Sequence, residues 1–321
     1  MQFMESCAKT TCWDQVPAAY THAAMIRIYG TVLAGLLGLL LGSFLNVCAT
    51  RWPEHESVIR PSSHCRSCNR TLAWWENVPL VSWLALRGRC RSCGAWIGWR
   101  YPLLELAVAV LWALTAWQFF SAYPIPDFSN GAYTVELANG IAQMIFLLLL
   151  VALAVFDVEN LWLPDRLIWP GIGLGLLLVL TRSALIAFLN QGGFEVWWRL
   201  IVLAVWFWFR GAALAAGVVL VIRWLYQMIR DQEGIGMGDV KLMAMLGGWL
   251  GIKCALLSLA LGAVTGAAVA LLLLAAPSAR ASRKNWKLTK LPFGAFICLG
   301  GVISSLWGQP IIAAYLRCAG F

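Results

Sequence analysis

The chain has 321 residues, of which 61% are hydrophobic and only 12% charged, with a formal net charge of +9. Soluble domains carry about a quarter charged residues, so a soluble globular fold is excluded and the length divides into apolar spans of about 20 residues. The positive charge does not point to nucleic acid, because the basic residues cluster in loops between apolar runs, the pattern that orients helices in a lipid bilayer.

Residues 1–27 form a mixed polar tail without the basic start and short apolar core of a secretory signal, and no role is assigned to it. Met25 stands just ahead of the first span, and the expectation drawn from it is that the tail does not belong to the mature chain. A first transmembrane helix follows at 28–50. It contains Gly35, Gly38 and Gly42, where a second helix can pack closely, and Ser43 and Asn46, which read as interhelical hydrogen-bonding groups. Residues 51–101 are the one sizeable polar segment, rich in arginine, and the positive-inside rule makes them cytoplasmic and the N-terminus external. The remainder, 102–321, reads as a transmembrane bundle. Its apolar runs fall near 103–121, 135–156, 167–189, 211–229, 240–252, 254–276 and 293–316. The fold class is therefore an all-α polytopic membrane protein of about eight transmembrane helices with a cytoplasmic loop domain after the first. Trp197 to Phe209 is apolar but too short to span, and is expected to be an external interfacial helix. The 240–252 run is also short and is expected inside the bundle. The 19 tryptophans gather near the ends of the runs, as in an interfacial belt.

Two near copies stand in the polar loop, His64-Cys65-Arg66-Ser67-Cys68-Asn69 and Arg89-Cys90-Arg91-Ser92-Cys93-Gly94. Each Cys-x-x-Cys is a knuckle whose thiolates reach one metal, and Asn69 and Gly94 both tolerate the left-handed backbone that closes it. Four soft thiolates at Cys65, Cys68, Cys90 and Cys93 suit a closed, structural, tetrahedral zinc site. A reducing cytosol argues against two disulfides. His64 is an alternative ligand. Cys48, Cys254 and Cys298, in or beside apolar runs, read as small apolar fillers.

Two carboxylates carry the remaining chemistry. Asp239 lies in Gly236-Met237-Gly238-Asp239-Val240-Lys241, and Asp157 ends an earlier apolar run. Loop charge alone puts both on the cytoplasmic side. An ionisable group at a membrane segment is costly and marks function by default. Two carboxyl groups sharing a proton are the equipment of an aspartyl protease. Gly236 and Gly238 would let the backbone turn and let a neighbour approach Asp239, and Lys241 would anchor to lipid phosphate or tune the pair. The plainer readings stay open on residue chemistry alone: Asp239 as a helix N-cap, Asp157 as a solvated helix end, and Asp165, after Pro164, as an N-cap.

These features in this order resemble the bacterial type IV prepilin peptidase family. Its first-helix signature is matched by Gly42-Ser43-Phe44-Leu45-Asn46-Val47 with Arg51 and Pro53, and its zinc loop by the paired Cys-x-x-Cys around Trp74-Trp75-Glu76-Asn77-Val78-Pro79. Trp99-Arg100-Tyr101-Pro102 and Glu105 follow as in the family. Its two aspartate motifs are matched by Asp157 through Leu163-Pro164-Asp165 and by Gly236-x-Gly238-Asp239-x-Lys241, and the start of its last helix by Pro292-Phe293-Gly294. The resemblance implies that Asp157 and Asp239 are catalytic. It further implies cleavage of the basic leader of prepilins and pseudopilins at the cytoplasmic face of the bacterial inner membrane, and N-methylation of the new terminus from S-adenosylmethionine. Three departures stand out. Glu159 and Ala295 occupy positions where an Asp and a Pro are usual, and 197–209 looks inserted. No glycine-rich strand–helix motif marks a methyl-donor site. Glu159, Asp165, Asp231 and Glu233 flank the aspartate motifs and are expected to attract a basic leader. The competing readings are a membrane dithiol oxidoreductase using the cysteine pairs, a proton-coupled transporter relaying through Asp157 and Asp239, and an aspartyl protease of the presenilin or preflagellin type.

Overall fold

The computed structural model describes residues 12–124, 131–189, 193–230, 236–275 and 291–320. Among them the regular structure is helical: α1 (Cys12–Arg51), a 3-10 turn at Trp74–Asn77, α2 (Val81–Ala85), α3 (Arg100–Ala122), α4 (Gly131–Asn160), α5 (Asp165–Leu189), α6 (Phe194–Arg230), α7 (Met237–Ala275) and α8 (Phe293–Cys318). Seven of these helices, all but α2, are long and apolar enough to cross a membrane. The chain divides into two compact units, residues 1–144 and 145–321.

In the first unit α1 packs on α3 through a stripe of small residues. A Cβ at Gly38 would stand 2.8 Å from the Ala109 Cα, and one at Gly42 would stand 2.7 Å from the Glu105 Cα. Only glycine allows the two backbones to come this close. Asn46 crosses the same interface, its Nδ2 donating to the Tyr101 carbonyl at 3.1 Å. The first helix starts well before the predicted span, so residues 12–27 are helical and not a loose tail.

The second unit is built on fully buried apolar side chains, among them Phe146, Leu150 and Leu153 of α4, Ile168 of α5, and Leu242, Met243, Met245 and Leu246 of α7. Two expectations change here. The predicted interfacial helix at 197–209 is instead the first part of α6, continuous with the 211–229 span in one helix of 37 residues. No proline interrupts this stretch, and Gly211 does not act as a stop. It is buried, and a Cβ there would stand 3.5 Å from the Gly251 Cα, so its missing side chain serves close packing.

The second change concerns the count of spans. The runs predicted at 240–252 and 254–276 form one 39-residue element that is broken at Gly251, whose φ of 75° and ψ of 166° lie outside the helical region. Only glycine adopts this conformation freely. The contacts along α8 show that the chain reverses there. Gly294, Gly301 and Gly308 face Asp239, Leu246 and Cys254 in that order, whereas Gly300 and Ile297 face Ser258 and Gly262 in the opposite sense. The short first half of α7 is thus sheathed by its neighbours, and ends beside the middle of α4, where Trp249 stacks on Phe146 at 4.7 Å. Trp249 also donates Nε1–H to the Gly171 carbonyl of α5 at 2.9 Å.

Candidate active site

Asp157 occupies the last turn of α4 and Asp239 the first turn of α7. Both are buried, at 6% and 8% exposure, which rules out a solvated helix end for Asp157. They converge on one point of a third helix. A Cβ at Gly294, at the start of α8, would lie 3.0 Å from Asp157 Oδ2 and 3.1 Å from Asp239 Oδ1. The next residue contributes a donor: the backbone N–H of Ala295 bonds Asp157 Oδ2 at 2.7 Å. Both carboxylates therefore sit at helix N-termini, where the backbone N–H groups and the helix dipole favour negative charge.

The chain between α4 and α5 holds this junction together. α4 ends as the Leu161 N–H donates to the Asp157 carbonyl at 2.9 Å. Leu161 itself takes a φ of 50°, a left-handed conformation that costs a non-glycine residue about 1–2 kcal/mol. The turn delivers Leu163 into the site. Its side chain lies 3.1 Å from a Cβ position on Gly238 and 3.0 Å from one on Gly294, so both glycines make room for the same leucine. Neither Gly236 nor Gly238 lies at positive φ. Their small size matters here through close approach, and the turn itself does not require it. Gly236 flanks the Asp239 carboxylate, with a Cβ position 3.8 Å from Oδ2.

Lys241 reaches neither aspartate of the pair. Its ammonium bonds both oxygens of Asp165 at 2.7 and 2.9 Å, tying the start of α7 to the start of α5, and sits 5.9 Å from the Trp169 ring centre. Asp165 is thereby engaged as an ion-pair partner. Of the acidic residues expected to attract a basic leader, Asp231 and Glu233 lie outside the described residues.

In the other unit the four cysteines form one cluster, with Sγ atoms all within 4.8 Å of one another. The sequence repeat is a structural repeat. The N–H groups of Asn69 and Gly94 bond the carbonyls of Cys65 and Cys90 at 2.8 and 2.9 Å, and both residues take positive φ. Each knuckle is closed by an isolated β-bridge, His64 with Thr71 and Arg89 with Trp96. The backbone N–H groups of Cys93 and Ser92 draw the Cys90 thiol down to about 6, and those of Cys68 and Ser67 lower Cys65. Cys93 moves the other way, to about 11, where the lowering by the Ala95 N–H is outweighed by burial and the neighbouring cysteines, so Cys90 and Cys65 are the more readily ionised thiols of the cluster. The cluster fits a metal ion held by four sulfurs. His64 stands apart, with Nδ1 3.2 Å from the Ser62 carbonyl oxygen.

The residues that sequence reasoning did not place in the carboxylate site are Leu163, Gly294 and Ala295. Pro292-Phe293-Gly294 and Leu163-Pro164 were visible as motifs, but their meeting with Asp157 and Asp239 depends on tertiary packing. A buried two-carboxylate junction among membrane helices, together with a four-cysteine loop, defines a membrane-embedded protein with the groups of an aspartyl protease.

Comparison with known proteins places this class within a family. Residues 36–119 match the bacterial peptidase A24 N-terminal domain and residues 144–271 match the type IV leader peptidase family. The chain is 34% identical to the prepilin leader peptidase/N-methyltransferase of Stutzerimonas stutzeri over 88% of its own length and 93% of the relative's. The protein of that name from Pseudomonas aeruginosa is also 34% identical, over 89% and 93%. The one from Pseudomonas putida is 32% identical over 94% and 99%. The chain belongs to the type IV leader peptidase family. No solved structure matches it. Membership disfavours the oxidoreductase and transporter readings.

Proposed function

We propose that this protein removes the basic leader of type IV prepilins or pseudopilins at the cytoplasmic face of the bacterial inner membrane, with Asp157 and Asp239 as the catalytic pair, and then N-methylates the new terminus. The observation that carries the peptidase reading is the convergence of both carboxylates on Gly294. Asp157 has one oxygen occupied by the Ala295 N–H, and it is assigned as the ionised base that takes a proton from water. That water oxygen forms the new bond to the scissile carbonyl carbon. Asp239 holds the shared proton, polarises the carbonyl oxygen and protonates the leaving amine as the carbon–nitrogen bond breaks. Gly236 leaves room beside Asp239 for the substrate backbone, while Gly238 and Gly294 make room for Leu163 and the two carboxylates. Lys241, through Asp165, positions the turn that carries Asp239.

The methyl-transfer reading rests on the relatives' shared name. S-adenosylmethionine supplies an electrophilic methyl group, and the freed amine of the mature pilin is its acceptor. Cys65, Cys68, Cys90 and Cys93 hold a structural zinc, the metal that best suits four thiolates with no open position. The test is purified protein in detergent with a full-length prepilin, read by intact mass. Loss of the leader supports the peptidase, and a further gain of one methyl with S-adenosylmethionine supports the second activity. An unchanged prepilin mass would refute the reading.

A further inference from the structure

The face of α1 that turns away from α3 ends in a charge without a counter-ion. Leu40, Phe44, Val47 and Arg51 recur three or four residues apart and form one stripe along the helix. Gly38 and Gly42, which pack on α3, lie on the other side. Leu40 and Phe44 are exposed, at 57% and 56%, whereas Arg51 at the end of the stripe is buried, at 7%. Its Nη1 and Nη2 donate to the carbonyls of Ser57 and Pro61 at 2.9 and 2.8 Å. Both acceptors are neutral, and a guanidinium has further N–H groups to give. Arg51 forms no ion pair among the described residues, and acidic side chains of the same loop are engaged elsewhere, Glu54 with Arg66 and Glu76 with Arg70. A buried guanidinium with no anion beside it is unfavourable.

The stripe is one wall of a groove of about 330 Å³, and the segment that Arg51 holds, 58–63, is another. The groove is amphipathic. Leu40, Phe44 and Val47 give it an apolar lining from a membrane-crossing helix, and Arg51, Ser62 and Ser63 give it a polar one. Ile59 also lines it and is 86% exposed, beside the exposed Arg60. From Leu40 to Arg51 the stripe rises about 16 Å, close to half of the roughly 30 Å hydrocarbon core of a bilayer. We propose that this groove binds a membrane phospholipid, with the phosphate on Arg51 and one acyl chain along Val47, Phe44 and Leu40. The phosphate supplies the missing negative charge and takes the remaining guanidinium donors, a geometry that suits arginine. The hydroxyls of Ser62 and Ser63 are donors for its other oxygens. The acyl chain covers an apolar stripe that a free phosphate would leave bare, and a basic peptide is repelled by Arg51 and Arg60. The bound lipid ties the start of the four-cysteine loop to the membrane surface through 58–63.

The test uses full-length protein in detergent, stripped of co-purified lipid. It is titrated with phosphatidylglycerol that carries a photoactivatable group on one acyl chain. Bound lipid is counted by native mass spectrometry, and the crosslink is mapped by peptide mass. The crosslink is expected in the segment from Leu40 to Val47 or in 58–63. Arg51→Gln should weaken binding about tenfold. Phe44→Ala, which leaves Arg51 and its loop contacts in place, should weaken it about threefold. Thermal unfolding followed by circular dichroism reports whether each variant is folded. If Arg51→Gln is not, Phe44→Ala and the position of the crosslink decide. Unlabelled phosphatidylglycerol should displace the label, and an excess of inorganic phosphate should not. Unchanged binding in the folded variants, or labelling spread evenly over the membrane helices, would overturn the proposal. Displacement by inorganic phosphate would overturn it too, since the site would then hold a free anion and no lipid.

Discussion

Gly294 has less room than Gly236 or Gly238 beside the two aspartates, and its missing side chain is what lets three segments meet. A methyl group at this position would press on Asp157 Oδ2, Leu163 Cδ1 and Asp239 Oδ1, all at 3.0–3.1 Å. Gly294→Ala should lower the single-turnover rate of leader cleavage by about 100-fold, the scale of a misplacement near 1 Å, while S-adenosylmethionine binding is retained. A normal rate would mean that the carboxylates do not act from this point. Ala295 bears on the same pair through its backbone. The family resemblance puts a proline here, and proline has no N–H to offer. Ala295→Pro is tolerated in a first helical turn but removes the 2.7 Å bond to Asp157. A hydrogen bond to a charged group contributes about 1.5–3 kcal/mol, so cleavage should slow about tenfold or more if this bond sets the geometry of Asp157. An unchanged rate would show that another group orients it.

At the scale of elements, the ion pair between Asp165 and Lys241 joins the starts of α5 and α7. Both side chains are partly exposed, at 56% and 30%, so its contribution is modest despite the two short contacts. A double-mutant cycle with Asp165→Asn and Lys241→Gln should give a coupling of about 0.5–1 kcal/mol in the cleavage rate, and zero coupling would remove its positioning role. In the four-cysteine loop, the Ala73 N–H and then the Arg70 guanidinium hold Glu76 below the usual carboxylate range. A group whose pKa is depressed by folding stabilises the fold above its unfolded pKa, and that stability is lost as pH falls through the lower folded value. The loop should therefore loosen in acid below the ordinary carboxylate range, seen as a change in Trp83 fluorescence, and Glu76→Gln should flatten that part of the profile. Identical profiles would contradict this. The elements themselves differ in how far they could be read. The cysteine knuckles were legible because their spacing is local and repeated. The break in α7 was legible because Gly247, Gly248 and Gly251 interrupt an apolar run. The continuity of α6 was not, because the arginines at 199 and 210 look like span ends, and only packing reveals that Gly211 serves close approach.

The two sets of candidate residues lie in separate compact units, the four-cysteine cluster in residues 1–144 and the aspartate pair in residues 145–321. The sequence carried the class of protein, the membrane character and the identities of both sets of candidate residues. It did not carry the junction of α4, α7 and α8, because Asp157, Asp239 and Gly294 are far apart in the chain and no local periodicity relates them. The account stands on the joint action of Asp157 and Asp239, and the most direct measurement compares wild type with Asp157→Asn and Asp239→Asn on one prepilin, read by intact mass. Each substitution keeps the shape of the side chain and removes its ability to share or take a proton. The account predicts that wild type alone releases the leader and that both variants remain folded and bind S-adenosylmethionine. Leader release by either variant at the wild-type rate would contradict it.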